Sequence, residues 1–219
     1  MCTNFALIKK DGSAQLSKQL GVDETQLRYS QDIRPGSMIS IVIERDGERL
    51  ISDAIWWLYL QQTETGLKPH PDYFSVNTNH AKLSNKTEYR KSRCIIPATA
   101  FVESQGGKNP HLLEPANGDA IAFGGLWKEW VDKVTGQIVY SASIITLPGH
   151  PALENIHQKS TPLWLPEEMY DLWLNPNHQD IGQFAPLLSP ALRTDLKATP
   201  INKATLKQPV GDSFVVNAG

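Results

Sequence analysis

The sequence predicts an α+β fold with a curved, mainly antiparallel β-sheet core and a few short helices. Three features carry that expectation: strand-like runs fill the middle of the chain, hairpin signals punctuate them, and helix starts are few. A length of 219 residues supports one good core and leaves little for a second, so one domain over 1–219 is expected. Hydrophobic content of 40% and charged content of 20% exclude a disordered or fibrous chain.

The elements follow in order. Residues 38–43 and 50–60 read as two strands joined at Arg45-Asp46-Gly47, where Asp-Gly is a hairpin signal. A run at 73–77 comes next, then a polar and basic stretch at 84–92 that reads as a short helix. Further strands are expected at 94–103, 120–130 and 137–146, with Thr135-Gly136 turning the last pair. Pro166-Glu167-Glu168 opens a helix with Met169, Leu172 and Trp173 at helical spacing, and Asn175-Pro176 ends it. Ser189-Pro190 before Ala191-Leu192 signals a second start. No internal repeat is visible.

The longest apolar runs, 54–60 and 120–126, fall well short of the roughly 20 residues that cross a bilayer. The N-terminus carries no secretory pattern, so a cytoplasmic location is expected, nucleoid-associated when bound to DNA. Cys2 and Cys94 are then expected to be free thiols. A net charge of -2 gives no global attraction to a polyanion, so any nucleic-acid binding must use a local patch.

Cys2 is the first chemical feature. Removal of Met1 would leave a cysteine with a free α-amine beside its thiol, a 1,2-aminothiol. An α-amine titrating at about 7.7 to 8.0 supplies some neutral nucleophile near neutral pH. The amine would condense with an aldehyde to a Schiff base, and the thiol would close on the imine carbon as a thiazolidine.

Four separated motifs extend this reading. The chain opens "MCTNF", places Asn77 in "FSVNTN", carries "RCIIPATAFVE" at 93–103, and has His157 in "IITLPGHPALENIHQKSTPLWLP". In order and spacing these resemble the SOS response-associated peptidase (SRAP) family, whose members are abasic-site processing proteins. The family opens Met-Cys-Gly-Arg-Phe, has a central Asn-Ala-Arg, a block Arg-Cys-Leu-Ile-Pro-Ala-Asp-Gly-Phe-Tyr-Glu, and a segment ending Ile-His-Asp-Arg-Met-Pro. Thr3 and Asn4 replace Gly and Arg in the first, Thr78 and Asn79 replace Ala and Arg in the second, and one extra residue separates His157 from Pro162. Two family arginines are therefore missing, the first of them one that contacts DNA.

The resemblance implies a single SRAP-like domain with a barrel-like sheet, and it assigns Cys2, Asn77, Glu103 and His157 to catalysis. Glu103 would shuttle a proton as the carbinolamine loses water. Asn77 would position the ring-opened deoxyribose, and His157 would bond sugar or phosphate and assist proton transfer. The segment "KLSNKTEYRKSR" offers Lys82, Lys86, Arg90, Lys91 and Arg93 as DNA-binding candidates. Trp56 and Trp57 begin the region where relatives carry Trp-Gly-Leu, so one indole is expected to stack on a base and the other to join the core. The remaining tryptophans, Trp127, Trp130, Trp164 and Trp173, read as core or rim. Cys94 reads as a core thiol.

The implied function is covalent capture of the ring-opened abasic site in single-stranded DNA, with lyase and crosslink-reversal steps at the same site. Two alternatives stay open: a thiol peptidase acting through Cys2, with Met1 its simplest substrate, and a non-covalent single-strand binder. No cofactor and no metal are expected, since the six histidines lack ligand spacing. The partner is single-stranded DNA with abasic sites, no membrane is involved, and a monomer is the default.

Overall fold

The computed structural model describes residues 2–218. The chain begins with β1 (Phe5–Leu7) and α1 (Asp11–Leu20), then β2 (Ser30–Ile33), β3 (Met38–Arg45) and β4 (Glu48–Trp56). A small ribbon, β5 (Leu60–Thr63) and β6 (Gly66–Pro69), precedes β7 (Asn77–Asn79), a 3-10 turn at His80–Asn85 and α2 (Thr87–Lys91). The central strands are β8 (Arg93–Ala98), β9 (Ala100–Gln105), β10 (Lys108–Pro115), β11 (Ile121–Val131) and β12 (Ile138–Leu147). After β13 (Thr161–Pro162) and α3 (Tyr170–Leu174), β14 (Leu196–Pro200) and β15 (Phe214–Val216) end the described chain.

One sheet closes into a five-stranded barrel in the order β11-β8-β3-β4-β12, because β12 pairs back onto β11. The β3–β4 hairpin starts it. Asp46 and Gly47 both take positive φ, 54° and 80°, as a tight two-residue turn whose twist matches its strands requires. Closure needs one parallel contact, β4 beside β12 with Tyr140 opposite Ala54. The second sheet is open, in the order β15-β14-β10-β9-β1-β2, and its pairings are antiparallel.

Alternation along the barrel strands sorts two cores. Ile39, Ile41, Ile43, Trp56, Cys94, Ile96 and Phe123 share one with Phe5, Phe101 and Leu113 of the open sheet. Val42, Ile95, Ala122 and Ile145 face the other way, beneath Leu16 and Leu20 of α1 and Trp173 and Leu174 of α3. Strands covered on both faces lose the polar-apolar alternation of a half-exposed sheet.

Several expectations need correction. The run at 50–60 ends as a strand at Trp56, and Leu60 starts a separate ribbon. The block at 94–103 is two strands in different sheets, broken at Thr99, whose amide donates to the Ala6 carbonyl at 2.7 Å and whose hydroxyl accepts from the Ile8 amide at 3.0 Å. Of 73–77 only Asn77 is extended in a sheet, and no helix follows Ser189-Pro190. The helix α1 is an addition. Its Gly12 lies against the 118–120 backbone so closely that a Cβ would sit 2.3 Å from the Gly118 carbonyl oxygen.

Arg93 and Trp56 are also corrected as DNA contacts. Arg93 is buried, and its five N–H donors reach the carbonyls of Trp173, Tyr89, Arg90, Asn175 and His178 at 2.6 to 2.8 Å. These oxygens lie at or just past the C-terminal ends of α2 and α3, where a cation is favoured. No donor remains for a phosphate. Trp56 is fully buried, donates to the Val76 carbonyl at 2.9 Å and packs edge-on against Phe5 at 4.8 Å, so no base can stack on it.

Candidate active site

The sheet pairing gathers the four assigned residues. β1 lies antiparallel to β9, and the Val102 amide donates to the Asn4 carbonyl at 2.9 Å, which carries Cys2 to the level of Glu103. β7 runs parallel to β12 with Asn77 opposite Ile144. The Asn77 amide then donates to the Cys2 carbonyl at 2.7 Å. The loop after β12 brings His157 to the end of β9, where its Nδ1 lies 2.8 Å from the Ser104 carbonyl and 3.5 Å from the Glu103 carboxylate.

A carbonyl can only accept, so Nδ1 of His157 carries the proton and Nε2, 3.4 Å from the Ser160 hydroxyl, is the basic nitrogen when the ring is neutral. Burial holds this imidazole below its ordinary range, with the Ser104 hydrogen bond pulling the other way. Glu103 is 3% exposed, and burial pushes its carboxyl up to about 7. Near neutral pH it therefore exists in both forms, which suits a group that must give and take a proton. Burial, and next the Glu103 charge, push the Cys2 thiol above its ordinary range, and its S–H faces the Asn4 carbonyl at 3.8 Å. Cys94 is equally buried, in the shared core beside Gly125.

A cleft of about 1060 Å³ opens over this group, lined by Asn77, Glu103, His157 and the flanking Thr3, Asn4 and Asn79. The Asn77 Oδ1, without a hydrogen-bond donor among the described residues, is an acceptor held ready beside Cys2. Of the basic candidates, Lys82 and Lys86 line the cleft, and Lys86 lies over the Tyr59 ring at 4.8 Å. Arg90 and Lys91 are exposed on α2 but line no part of it. Trp57 is half-buried, edge-on to Phe74 at 5.0 Å, and it is Phe74 and Tyr73, 52% and 58% exposed, that reach the cleft.

Sequence reasoning missed these two aromatics and the lysines Lys159 and Lys203. Lys159 stands two residues past His157 and was findable from that spacing. Lys203 follows β14, far along the chain, and only the pairing of β14 with β10 brings it near. Among the described residues no three His, Cys, Asp or Glu side chains converge as a metal site, and no helix is long and apolar enough to cross a membrane.

Fold and site together define a class: an α+β domain whose barrel and open sheet hold the residues next to the N-terminus in a cleft with an amide, a buried carboxyl and an imidazole. The chain belongs to the SOS response associated peptidase (SRAP) family, whose model matches residues 1–208. It is 26% identical over 215 residues to the abasic site processing protein YobE of Bacillus subtilis, covering 92% of this chain and 94% of that one. YoqW, an abasic site processing protein of the same bacterium, is also 26% identical, with 92% of each chain covered. A crystal structure of a protein from Bacteroides thetaiotaomicron superposes with a TM-score of 0.75 at 20% identity over 96% of this chain and 97% of that one. A Bordetella bronchiseptica structure gives 0.69 over 92% and 100%. These likenesses show the fold.

Proposed function

We propose that this protein processes abasic sites in single-stranded DNA by covalent capture, using the α-amine and thiol that Cys2 gains when Met1 is removed. Met1 lies outside the described residues. The observation that carries the reading is the meeting of Cys2 with a buried carboxyl that titrates near 7. The names of the B. subtilis relatives supply the substrate class.

The chemistry gives each group a role. The neutral amine adds to C1 of the ring-opened sugar, giving a carbinolamine. Protonated Glu103 donates to its hydroxyl, which leaves as water, and the iminium so formed returns its N–H proton to the Glu103 carboxylate to give the imine. The Cys2 sulfur then bonds to the imine carbon while the thiol proton passes to the nitrogen, closing a thiazolidine. One water is released overall, and no oxidant or reductant is needed. Asn77 fixes the Cys2 backbone through Nδ2 and offers Oδ1 to a sugar hydroxyl. Neutral His157, with Nε2 as base, serves proton transfer in strand cleavage or reversal. Phe74 and Tyr73 replace the expected indole as the stacking surface, a contact worth about 1 to 3 kcal/mol per base.

A thiol peptidase requires the opposite electrostatics. Its nucleophile is a thiolate, stabilised by positive surroundings, whereas burial and Glu103 keep the Cys2 thiol protonated. Aldehyde capture starts from the amine and tolerates a protonated thiol. The test is a denaturing gel of the processed protein with single-stranded DNA carrying one abasic site. The expected result is a heat-stable shifted band that Cys2→Ala abolishes. Lesion-independent binding with no such band overturns the proposal and leaves a non-covalent binder.

A further inference from the structure

Asn4 and Asn79 stand where the resemblance places two family arginines, the first of them a DNA contact, and both are neutral side chains with partners of their own. Asn4 is buried and donates to Asp32 at 2.7 Å. Asn79 caps the following 3-10 turn by accepting from the Ala81 amide at 2.9 Å. Nearby positive charge is already committed, since Asp32 also pairs with Arg34 at 3.0 Å and with Lys207 at 3.4 Å. Yet the cleft is cationic in a chain of net charge -2. Lys82, Lys86, Lys159 and Lys203 line it, against the carboxyls of Asp72 and Glu103.

Several basic side chains outside the cleft are already neutralised. Arg28, Arg45, Arg49, Lys128, Lys197 and Lys207 each pair with a carboxylate. Among the described residues Lys82, Lys159 and Lys203 have no such partner; Lys82 comes from the 3-10 turn after β7, Lys159 from the His157 loop and Lys203 from the turn after β14. Cations gathered in one cleft from separate segments repel one another, and a folded protein neutralises such a group with an anion from outside. The cleft also holds the candidate catalytic group and exposed aromatic rings, so the anion that fits is a polyanion with bases, read along its backbone.

We propose that Lys159 and Lys203 serve this chain as phosphate-binding cations in place of the arginines that the family carries at positions 4 and 79, and that with Lys82 and Lys86 they hold the phosphodiester backbone of single-stranded DNA in the cleft. This rests on the DNA reading above, but it concerns binding and not capture. The experiment is therefore equilibrium binding of a lesion-free single-stranded oligonucleotide by fluorescence anisotropy over a salt series. It compares the wild type, a Lys159→Gln/Lys203→Gln variant, its Lys→Arg counterpart, and a Lys18→Gln/Lys133→Gln control from outside the cleft.

Neutralising two phosphate-binding lysines should weaken binding about tenfold or more at low salt and flatten the log K against log salt slope by about 1.4, at roughly 0.7 per single-strand phosphate. The arginine variant should restore the slope, and the control should match the wild type. An unchanged slope and affinity in the glutamine variant, or a wild type that does not bind lesion-free DNA, overturns the proposal. Failure of capture is read separately, as the absence of a denaturation-resistant band with abasic DNA while salt-dependent binding persists.

Discussion

Replacing Glu103 by glutamine should remove a cost that the wild type carries for its chemistry. The carboxyl is 3% exposed and titrates at about 7 in the folded chain, against an ordinary value of 4.5. At roughly 1.4 kcal/mol per pH unit, holding it ionised in that site costs about 3 kcal/mol. The sign follows from proton counting. Between 4.5 and about 7 the folded state keeps a proton that the unfolded state has released, so stability falls as pH rises through this window. Below the window the cost is absent, and above it the cost is complete. Glutamine has nearly the same shape and cannot ionise. In urea denaturation at pH 5, 6, 7 and 8, the stability of Glu103→Gln relative to the wild type should therefore rise by up to about 3 kcal/mol across the series. The same variant should lose most of the rate of adduct formation, since it has no proton to give. A stability difference that stays flat with pH would refute the burial argument, and full adduct formation by Glu103→Gln would refute the assigned role.

Three further outcomes follow from the contacts described. Asn77→Ala removes the 2.7 Å hydrogen bond to the Cys2 carbonyl, worth about 1 kcal/mol, and should slow adduct formation severalfold in single-turnover kinetics with little loss of thermal stability. Cys94→Ser places a hydroxyl in the shared apolar core and should lower stability by about 1 to 3 kcal/mol in urea titration, while adduct yield at about 20 °C stays at the wild-type level. Arg93→Met leaves five backbone carbonyls without their donors and should cost about 3 to 5 kcal/mol or prevent folding; a stable variant with weakened DNA binding alone would restore Arg93 as a phosphate contact.

Particular residues show what the sequence made legible. Asp46-Gly47 and Thr135-Gly136 mark their hairpins because positive φ at a turn demands residues that tolerate it. The block ending in Glu103 announces a buried extended segment, but not that Thr99 divides it between two sheets. Both halves are buried on both faces, so the alternation that reports a sheet change is missing. Trp56 and Trp57 are neighbours on a strand end and so point to different surroundings, which is why one indole is expected inside, though not which one. Arg93 misleads because a basic run reads as a surface, while its partners are carbonyls, 80 or more residues away in part, that no sequence pattern displays. Helix α1 is hidden by its buried Ser13, Ser17 and Gly12, which give no apolar stripe and are accommodated by backbone packing. The approach of Asn77 to Cys2 depends on a three-residue parallel pairing with β12, a non-local contact with no local signature.

The most direct measurement of the central claim is peptide mass analysis of protein incubated with abasic single-stranded DNA, after nuclease and trypsin digestion. The account predicts the modification on the N-terminal peptide 2–9, with Met1 absent and a mass equal to peptide plus sugar fragment less one water. Unmodified peptide 2–9 alongside a sugar adduct on a lysine peptide, or no adduct at all, would contradict it.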